Sequence, residues 1–424
     1  MHRLLPLPAI LAVLAASAAP AAAAPEHVPD EVIVKRDGKP ARAVALREGE
    51  TVGERIAALR DRGRVDYAVP NYVARASDYM PNDPALTRQW NLTSAAGINM
   101  PAAWGIARRQ RRPGGIGTTV AVLDTGVAYQ RFRRFRRAPD LSGFRRGYDF
   151  VDDDRLPNDQ NGHGTHVAGT IAQTTGNRVG AAGIAYRTRI MPVRVLDSHG
   201  AGDTLAISRG IRFAARHGAD VINLSLEFDA GVRAAQIPDI VRALRFARRR
   251  GAIVVAAAGN QGSPQVAYPA RARNVVAVAA TTATGCQADY SNSGQHVDLA
   301  APGGGADAAN TDTEYDAATC TPGLLGRFIF QQTFTRSVRR FGLPPGYEGT
   351  SMAAPHVAGV AALVIGTRRL GRDPGPFAVE RLLETTARDV GAPGWDPRYG
   401  HGLLDAAAAL RRPSAHDPEP DPVV

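Results

Sequence analysis

Cysteine and lysine are both scarce in this 424-residue chain. It contains two cysteines, Cys286 and Cys320, and two lysines, Lys35 and Lys39. Two cysteines permit at most one intrachain disulfide, so either this pair is joined in an oxidising compartment or both residues are buried free thiols. With so few lysines, arginine carries nearly all of the positive charge behind the formal net charge of +11.

Nucleic-acid-binding motifs and long apolar runs are also missing. A strongly basic chain can bind nucleic acid or a membrane surface. The sequence contains no nucleic-acid motif, so an Arg-rich composition accounts for the charge and no nucleic-acid partner is expected. After residue 24 no segment is long and apolar enough to cross a bilayer, which predicts that the mature chain has no membrane span.

The two ends of the chain differ in composition from the rest. Residues 1–24 begin with His2 and Arg3, continue as an apolar run of Leu and Ala, and end in Ala22-Ala23-Ala24. This pattern is typical of a secretory signal peptide with a small-residue cleavage site, and it predicts export from the cell. Residues 412–424 are rich in Pro and Asp, which predicts a disordered tail.

Between these ends, hydrophobic patterning divides the chain into two parts. Residues 25–78 predict short strands around one helix, as in a small α/β domain. Residues 79–411 alternate strands and helices, which predicts an α/β fold with a doubly wound, mostly parallel sheet. Its predicted strands are 119–123, 190–195, 221–224, 253–257, 275–279 and 297–299, and its main helices are 163–172, 204–217, 240–250, 351–366, 377–386 and 403–410.

Three motifs of the second part carry side chains suited to acyl transfer. Asp124 ends a buried strand, and His163 begins a helix of small residues. Ser351 lies between a glycine-containing turn and an apolar helical run, close to a helix N-terminus. A serine becomes a nucleophile only when a base takes its proton and a third group orients that base. The chain therefore supplies all three groups, in the order Asp, His, Ser.

This order and the sequences around it resemble the subtilisin family of serine endopeptidases, in particular its thermitase branch. The resemblance covers roughly residues 79–411. It implies that Ser351 is the nucleophile, His163 the base and Asp124 its orienting acid, with Asn260 donating to the oxyanion. It also implies a secreted, monomeric protease of broad specificity for proteins and peptides. Residues 25–78 would then be a self-processed propeptide that serves as inhibitor and folding chaperone.

The resemblance implies structural calcium and no catalytic metal. Clusters of carboxylate and carbonyl oxygens suit Ca²⁺, although both clusters could instead be acidic solvated turns. The first has Leu156 where a further oxygen would be useful, and its predicted ligands are Asp149, Asp152 and Asp154. The predicted ligands of the second are Asp83, Asp140, Asn177 and the carbonyls of Thr174, Val179 and Ala181. Zinc at His163 and His166 is not expected, because the glutamate of zinc-protease motifs is missing.

In that family the S1 pocket, which holds the substrate side chain preceding the scissile bond (P1), lies between two strand ends. The corresponding residues here are Ser225, Leu226 and Glu227 on one wall, Gly259 on the other, and Ala267 at the base. The small Ala267 predicts room for a large apolar P1 residue. Glu227 stands where the family usually has glycine, so it either attracts a basic substrate residue, points to solvent or pairs with an arginine.

The sequence leaves open the roles of two insertions and two alternatives to a protease function. Residues 128–146 contain seven arginines and predict a solvated loop or an anchor for an acidic surface. Residues 303–346 precede the serine motif and predict a segment that overhangs the cleft. A peptide transferase or macrocyclase would use the same residues for a different outcome. A secreted pseudoprotease would use the fold for binding alone.

Overall fold

The computed structural model describes residues 27–61, 63–72, 78–309, 320 and 326–412. The predicted signal peptide, the end of the predicted propeptide at 73–77 and the tail from residue 413 lie outside these residues. The chain forms two compact units that divide after Ala76.

The first unit is a three-stranded antiparallel sheet with one helix. The strand order is β2-β1-β3, from β1 (His27–Arg36), β2 (Arg42–Ala45) and β3 (Val65–Tyr72), and the helix is α1 (Val52–Asp61). The small core of this unit is formed by Val32, Val34, Leu59 and Ala68. The sequence does not predict β2, because its four residues are mostly exposed and do not alternate between apolar and polar.

The second unit contains a seven-stranded parallel sheet, which confirms the predicted fold class. The strand order is β10-β9-β8-β7-β4-β6-β5. The strands are β4 (Thr119–Asp124), β5 (Tyr148–Asp149), β6 (Arg189–Arg194), β7 (Val221–Leu224), β8 (Ile253–Ala257), β9 (Val276–Thr281) and β10 (Leu299–Pro302), and a separate hairpin pairs β11 (Thr333–Ser337) with β12 (Arg340–Gly342).

Helices cover both faces of this sheet. Successive residues of β4 show why, since Val120 and Val122 enter one hydrophobic core while Ala121 and Leu123 enter the other. The helices are α2 (Trp90–Thr93), α3 (Met100–Arg109), α4 (His163–Ala172), α5 (Thr204–Arg216), α6 (Pro238–Arg249), α7 (Thr350–Thr367), α8 (Pro376–Thr385) and α9 (Ala406–Leu410). Helices α3, α4, α7, α8 and α9 pack on the first core, which contains Val120 and Val122. Helices α5 and α6 pack on the second core, which contains Ala121 and Leu123.

The strand order reverses beside β4, and this reversal positions the site. From β4 the chain builds β5 and β6 on one side and β7 to β10 on the other. Loops that leave neighbouring strands in opposite directions open a crevice at the carboxyl ends of those strands. Asp124 ends β4 and Ser225 directly follows β7, so both lie at this crevice.

Helix α7 passes through the first core of the second unit. Contrary to the expectation that no segment after residue 24 is long and apolar enough, α7 alone among the described helices has the length and hydropathy needed to cross a membrane, and 89% of that stretch is buried. Its burial among the other elements identifies it as the core helix of this unit.

Several predicted boundaries shift where a local contact outweighs periodicity. Helix α9 begins at Ala406 rather than at residue 403, because the Asp405 carboxylate accepts a hydrogen bond from the Ala408 N–H (2.8 Å) and caps the helix there. Strand β10 runs two to three residues later than predicted, at Leu299–Pro302. Helix α3 is absent from the prediction although its buried residues Met100, Ala103, Trp104 and Ala107 follow helical spacing.

Candidate active site

A cleft of about 470 Å³ opens at the carboxyl ends of β4, β6, β7 and β8. Its walls contain polar side chains from segments that are far apart in sequence. Six of the sequence-predicted site residues line it: His163, Ser225, Leu226, Glu227, Asn260 and Ser351. The fold therefore brings His163 and Ser351 of the sequence motifs to one surface with Asn260, which lies in the loop after β8.

His163 is held by the buried carboxylate of Asp124. Nδ1 of His163 donates to Oδ1 of Asp124 at 2.8 Å, and the Asp124 side chain is fully buried. The next residue makes this approach possible, because a Cβ on Gly164 would lie 2.1 Å from the Gly126 carbonyl oxygen. With Nδ1 as the donor, Nε2 of the neutral ring is left as the proton acceptor.

The electrostatic surroundings of His163 favour its protonated form. Burial lowers the pKa of His163, but the charge of Asp124, the hydrogen bond to Asp124 and the charge of Asp159 together raise it above the ordinary value of 6.5. A base whose pKa is raised toward neutral pH accepts a proton more readily in the transition state.

Asp159 is a second buried carboxylate beneath this pair, and the sequence motifs did not single it out. Its Oδ1 accepts from the Thr125 hydroxyl (2.9 Å) and its Oδ2 from the Thr165 hydroxyl (2.6 Å). Thr125 in turn accepts from the Gly164 N–H at 3.0 Å. Asp159 thus ties the loop after β4 to the first turn of α4, and the only sequence signal is an acid four residues before His163.

Ser351 is the second residue of α7. The Gly349 carbonyl is the first acceptor of the helix, and it accepts from the N–H groups of residues 352 and 353. The Ser351 N–H comes before these donors, so it has no acceptor within the helix. The Ser351 hydroxyl donates to the Ser225 carbonyl at 3.3 Å, and the Ser225 hydroxyl donates to the Ser351 carbonyl at 2.7 Å. The described structure records no hydrogen bond between Ser351 and His163, and such bonds are often long before a substrate binds.

Asn260 is oriented by the residue that precedes the serine. Its Oδ1 accepts from both the N–H (2.7 Å) and the hydroxyl (3.0 Å) of Thr350. A backbone N–H can only donate, so the atom that faces it is the oxygen, and this leaves Nδ2 of Asn260 as the donor of the carboxamide. Asn260 and Ser351 both line the cleft.

The predicted S1 residues occupy different depths. Ser225, Leu226 and Glu227 line the cleft, and Gly259 lies against the Glu227 carboxylate. Ala267 is fully buried, and its N–H donates to the Ala258 carbonyl at 2.8 Å. Ala267 therefore lies behind the Gly259 wall and does not line the open part of the cleft.

The first acidic cluster already contains a cation. Arg194, at the end of β6, donates through one Nη to Asp149 (2.8 Å) and to Asp152 (2.6 Å), and its side chain is 4% exposed. Asp154 instead accepts from the Leu156 N–H. No local sequence pattern links Arg194 to this loop, because the two are 40 residues apart. Its guanidinium compensates two of the three carboxylates, which weakens the fit of this cluster to Ca²⁺.

The second acidic cluster fits Ca²⁺ better. Asp83 and Asp140 are 4% and 2% exposed, and the described structure records no ion pair for either. Asp83 accepts from the Gly176 and Asn177 N–H groups, and Asp140 accepts from the side chains of Gln173 and Asn177. The Gln173 Oε1 atom is buried without a partner. Two uncompensated carboxylates, an amide oxygen and nearby carbonyls form the donor set that Ca²⁺ prefers.

In the described part of the 303–346 insertion, residues 329–333 lie against the start of α4 and residues 303–308 pair with the end of β9 and the segment after it, and none of these residues lines the cleft. The Thr333 hydroxyl donates to the Gly162 carbonyl, and the Ile329 carbonyl accepts from Nε2 of His166 at 3.0 Å. The His166 ring also stacks on Tyr347, with centroids 4.1 Å apart. The expectation that this segment overhangs the cleft is therefore wrong for its described residues, because its polar groups pair with α4.

The two cysteines are brought together outside the cleft lining. The structure joins Cys286 to Cys320 by a disulfide whose Cα atoms are 4.6 Å apart, and both residues are buried. This distance lies within the usual range for disulfides.

An Asp–His pair and a serine at a helix start, on a parallel sheet, form an arrangement typical of serine hydrolases. Residues 115–402 match the sequence model described as the Subtilase family. The chain therefore belongs to the subtilases and is a serine endopeptidase.

Relatives across bacteria agree with this assignment. The thermophilic serine proteinase of Bacillus sp. strain AK1 is 36% identical over 81% of this chain and 73% of its own length. Thermitase of Thermoactinomyces vulgaris is 36% identical over 78% of this chain and its full length. A solved protease structure from Pseudoalteromonas arctica PAMC 21717 is 33% identical, with a TM-score of 0.59, and covers 78% of this chain and 98% of that chain. The predicted resemblance to the thermitase branch is confirmed.

Proposed function

We propose that the protein is a secreted serine endopeptidase that hydrolyses peptide bonds through an acyl-enzyme formed on Ser351. The observation that carries the proposal is the hydrogen bond of 2.8 Å between His163 and the buried Asp124, in a cleft that Ser351 also lines. The resemblance to subtilases supplies the reaction class, and the geometry supports the role that we propose for each residue.

The chemistry begins at the Ser351 hydroxyl. His163 accepts the hydroxyl proton on Nε2 while Oγ attacks the carbonyl carbon of the scissile bond, and the carbonyl becomes an oxyanion. Asp124 holds the ring with Nδ1 protonated and stabilises the imidazolium that forms. His163 then returns the proton to the leaving amine, and water cleaves the acyl-enzyme by the same steps in reverse order.

The oxyanion needs donors that are in place before the reaction. We assign this role to Nδ2 of Asn260 and to the N–H of Ser351. Thr350 fixes the Asn260 carboxamide through two hydrogen bonds to its oxygen, so little reorganisation is required when charge develops. The N-terminus of α7 adds a favourable dipole at the same point.

We propose that Asp83, Asp140 and Asn177, with the carbonyls of Thr174, Val179 and Ala181, hold a structural Ca²⁺. The ion would neutralise two buried carboxylates and tie the loop after α4 to the start of the second unit. The cluster of Asp149, Asp152 and Asp154 stays a prediction, and its pairing with Arg194 makes it the weaker of the two.

Maturation and export complete the proposal. Residues 1–24 direct secretion, residues 25–78 act as an inhibitory propeptide that the enzyme removes itself, and the mature protein is a monomer. In an oxidising compartment the Cys286–Cys320 pair closes a segment of 34 residues. By the chain-entropy account this adds roughly 3–4 kcal/mol of stability.

The Ser351→Ala variant tests the proposal. We expect it to accumulate as an uncleaved precursor and to lose casein hydrolysis, because the same nucleophile cuts the propeptide and the substrate. Normal processing and activity in this variant would contradict the assignment of Ser351.

Mass spectrometry of peptide products separates the two other functions. A hydrolase leaves two linear products per cut, whose masses together exceed that of the substrate by one water. A transferase or macrocyclase gives joined or cyclic products without that gain, and a pseudoprotease leaves its substrate intact.

A further inference from the structure

Glu227 lies in the cleft and has no role in the mechanism above. Its Oε2 atom accepts a hydrogen bond from the Asn260 N–H at 2.7 Å. The same oxygen would lie 2.7 Å from a Cβ built on Gly259. The Glu227 carboxylate therefore extends from the segment after β7 to the segment after β8. It occupies the space next to Gly259, which has no side chain.

Within the described residues, the charge of Glu227 has no partner of opposite sign. No ion pair to Glu227 occurs in the parts of the chain that the structure describes, and the side chain is half-buried. Among the described residues no arginine pairs with Glu227, and its side chain is half-buried rather than fully exposed. Burial raises the pKa of Glu227, while hydrogen bonds from the backbone and side chain of Asn260 oppose that rise. A partly desolvated carboxylate without a counter-ion favours any cation that can reach it.

We propose that Glu227 makes this peptidase selective for arginine or lysine at P1. The inference rests on the proposed function, because it needs a peptide bound with its P1 side chain between the two strand ends. A guanidinium or ammonium entering there meets Oε1 and Oε2 of Glu227 and forms a charge-assisted hydrogen bond. The cleft that Glu227 lines has a volume of about 470 Å³, which leaves space for such a long side chain.

Glu227 also acts against uncharged P1 residues. It contacts Asn260, the residue that we assign as an oxyanion donor, so its negative charge lies close to the point where a second negative charge develops. That repulsion raises the barrier for a neutral substrate, whereas a cationic P1 side chain cancels it. Selectivity then has an attractive and a repulsive component, as specific sites commonly do.

The test uses three fluorogenic peptides that differ only at P1: arginine, its uncharged isostere citrulline, and leucine. For the mature enzyme we expect kcat/KM for arginine to exceed that for citrulline by about 10- to 100-fold, the range for one charge-assisted hydrogen bond. In Glu227→Gln we expect this ratio to fall to about 1, and kcat/KM for the leucine peptide to rise as the repulsion disappears.

Two variants distinguish a role of Glu227 in charge selectivity from a structural role in holding the Asn260 backbone. Glu227→Gln keeps an oxygen that can accept from the Asn260 N–H but removes the charge. Asp229→Asn makes the same charge change two residues away, at an exposed side chain outside the cleft lining, and should leave the arginine-to-citrulline ratio unchanged.

Three outcomes would contradict the inference. They are equal kcat/KM for the arginine and citrulline peptides in the parent enzyme, an equal loss for all three peptides in Glu227→Gln, or the same change of ratio in Asp229→Asn. Failure of the proposed function looks different, because the parent enzyme would then cleave none of the three peptides.

Discussion

Removal of calcium should destabilise the second unit through Asp83 and Asp140. Both carboxylates are buried, and burial raises the pKa of Asp140 to about 6, with the charge of Asp83 adding to that rise against hydrogen bonds from Gln173 and Asn177. Two buried like charges oppose each other's ionisation. A bound Ca²⁺ removes this penalty, so the native state gains stability that the unfolded chain does not share.

The size of the effect follows from mass action. At free Ca²⁺ about 100-fold above its dissociation constant, binding adds about 2.7 kcal/mol. The second unit runs from Ser77 to Val424, and an unfolding entropy of about 2.1 cal/mol/K per residue gives roughly 0.7 kcal/mol/K for a unit of this size. Chelation should therefore lower Tm by about 4 °C, and by more if the site binds more tightly.

The assay is a thermal scan of mature enzyme blocked with a serine-directed inhibitor, which prevents self-digestion. Asp140→Asn should lose the Ca²⁺ response and, in chelator, be at least as stable as the parent, because one of two opposed charges is gone. Asp154→Asn, in the cluster that Arg194 compensates, should keep the response. An unchanged Tm after exhaustive chelation would refute the reasoning, and a response lost only in Asp154→Asn would place the ion in the other cluster.

Three further predictions concern the site itself. Asn260→Ala should lower kcat by about 10²- to 10³-fold, the loss typical of one oxyanion donor; steady-state kinetics that show a parental kcat would remove Asn260 from the site. In the parent, kcat/KM should fall as pH drops through the raised pKa of His163, above the ordinary value of 6.5, because only the neutral ring accepts a proton. Asp124→Asn should lower kcat by about 10⁴-fold and move this limb of the pH profile to lower pH; a profile that stays in place would show that Asp124 does not act on His163.

Local sequence patterns predict the strands of the main sheet well, because these strands are buried on both faces and read as short apolar runs. The strand Val221–Leu224 and helix α4 have the predicted bounds. Elements with little burial or two-residue length give no such signal, which explains why β2 and β5 are absent from the prediction.

Contacts between side chains that are far apart in sequence could not be predicted from the sequence. The position of Glu227 in the chain predicts a charged residue near the cleft, but its bond to the Asn260 N–H depends on how two strand ends meet. Arg194 likewise lies on a strand whose pattern shows only burial, and its partners come from a loop 40 residues earlier. Asp159 reads as a turn residue until the fold places Thr125 and Thr165 beside it.

The most direct test of the central claim is the identity of the residue that reacts with a serine-directed fluorophosphonate. Peptide mapping by mass spectrometry of the inhibited mature enzyme should find a single label, on Ser351, with hydrolysis lost in proportion to labelling. His163→Ala should be labelled far more slowly, since the hydroxyl would lack its base. A label on another residue, or full hydrolysis by enzyme labelled at Ser351, would contradict the account.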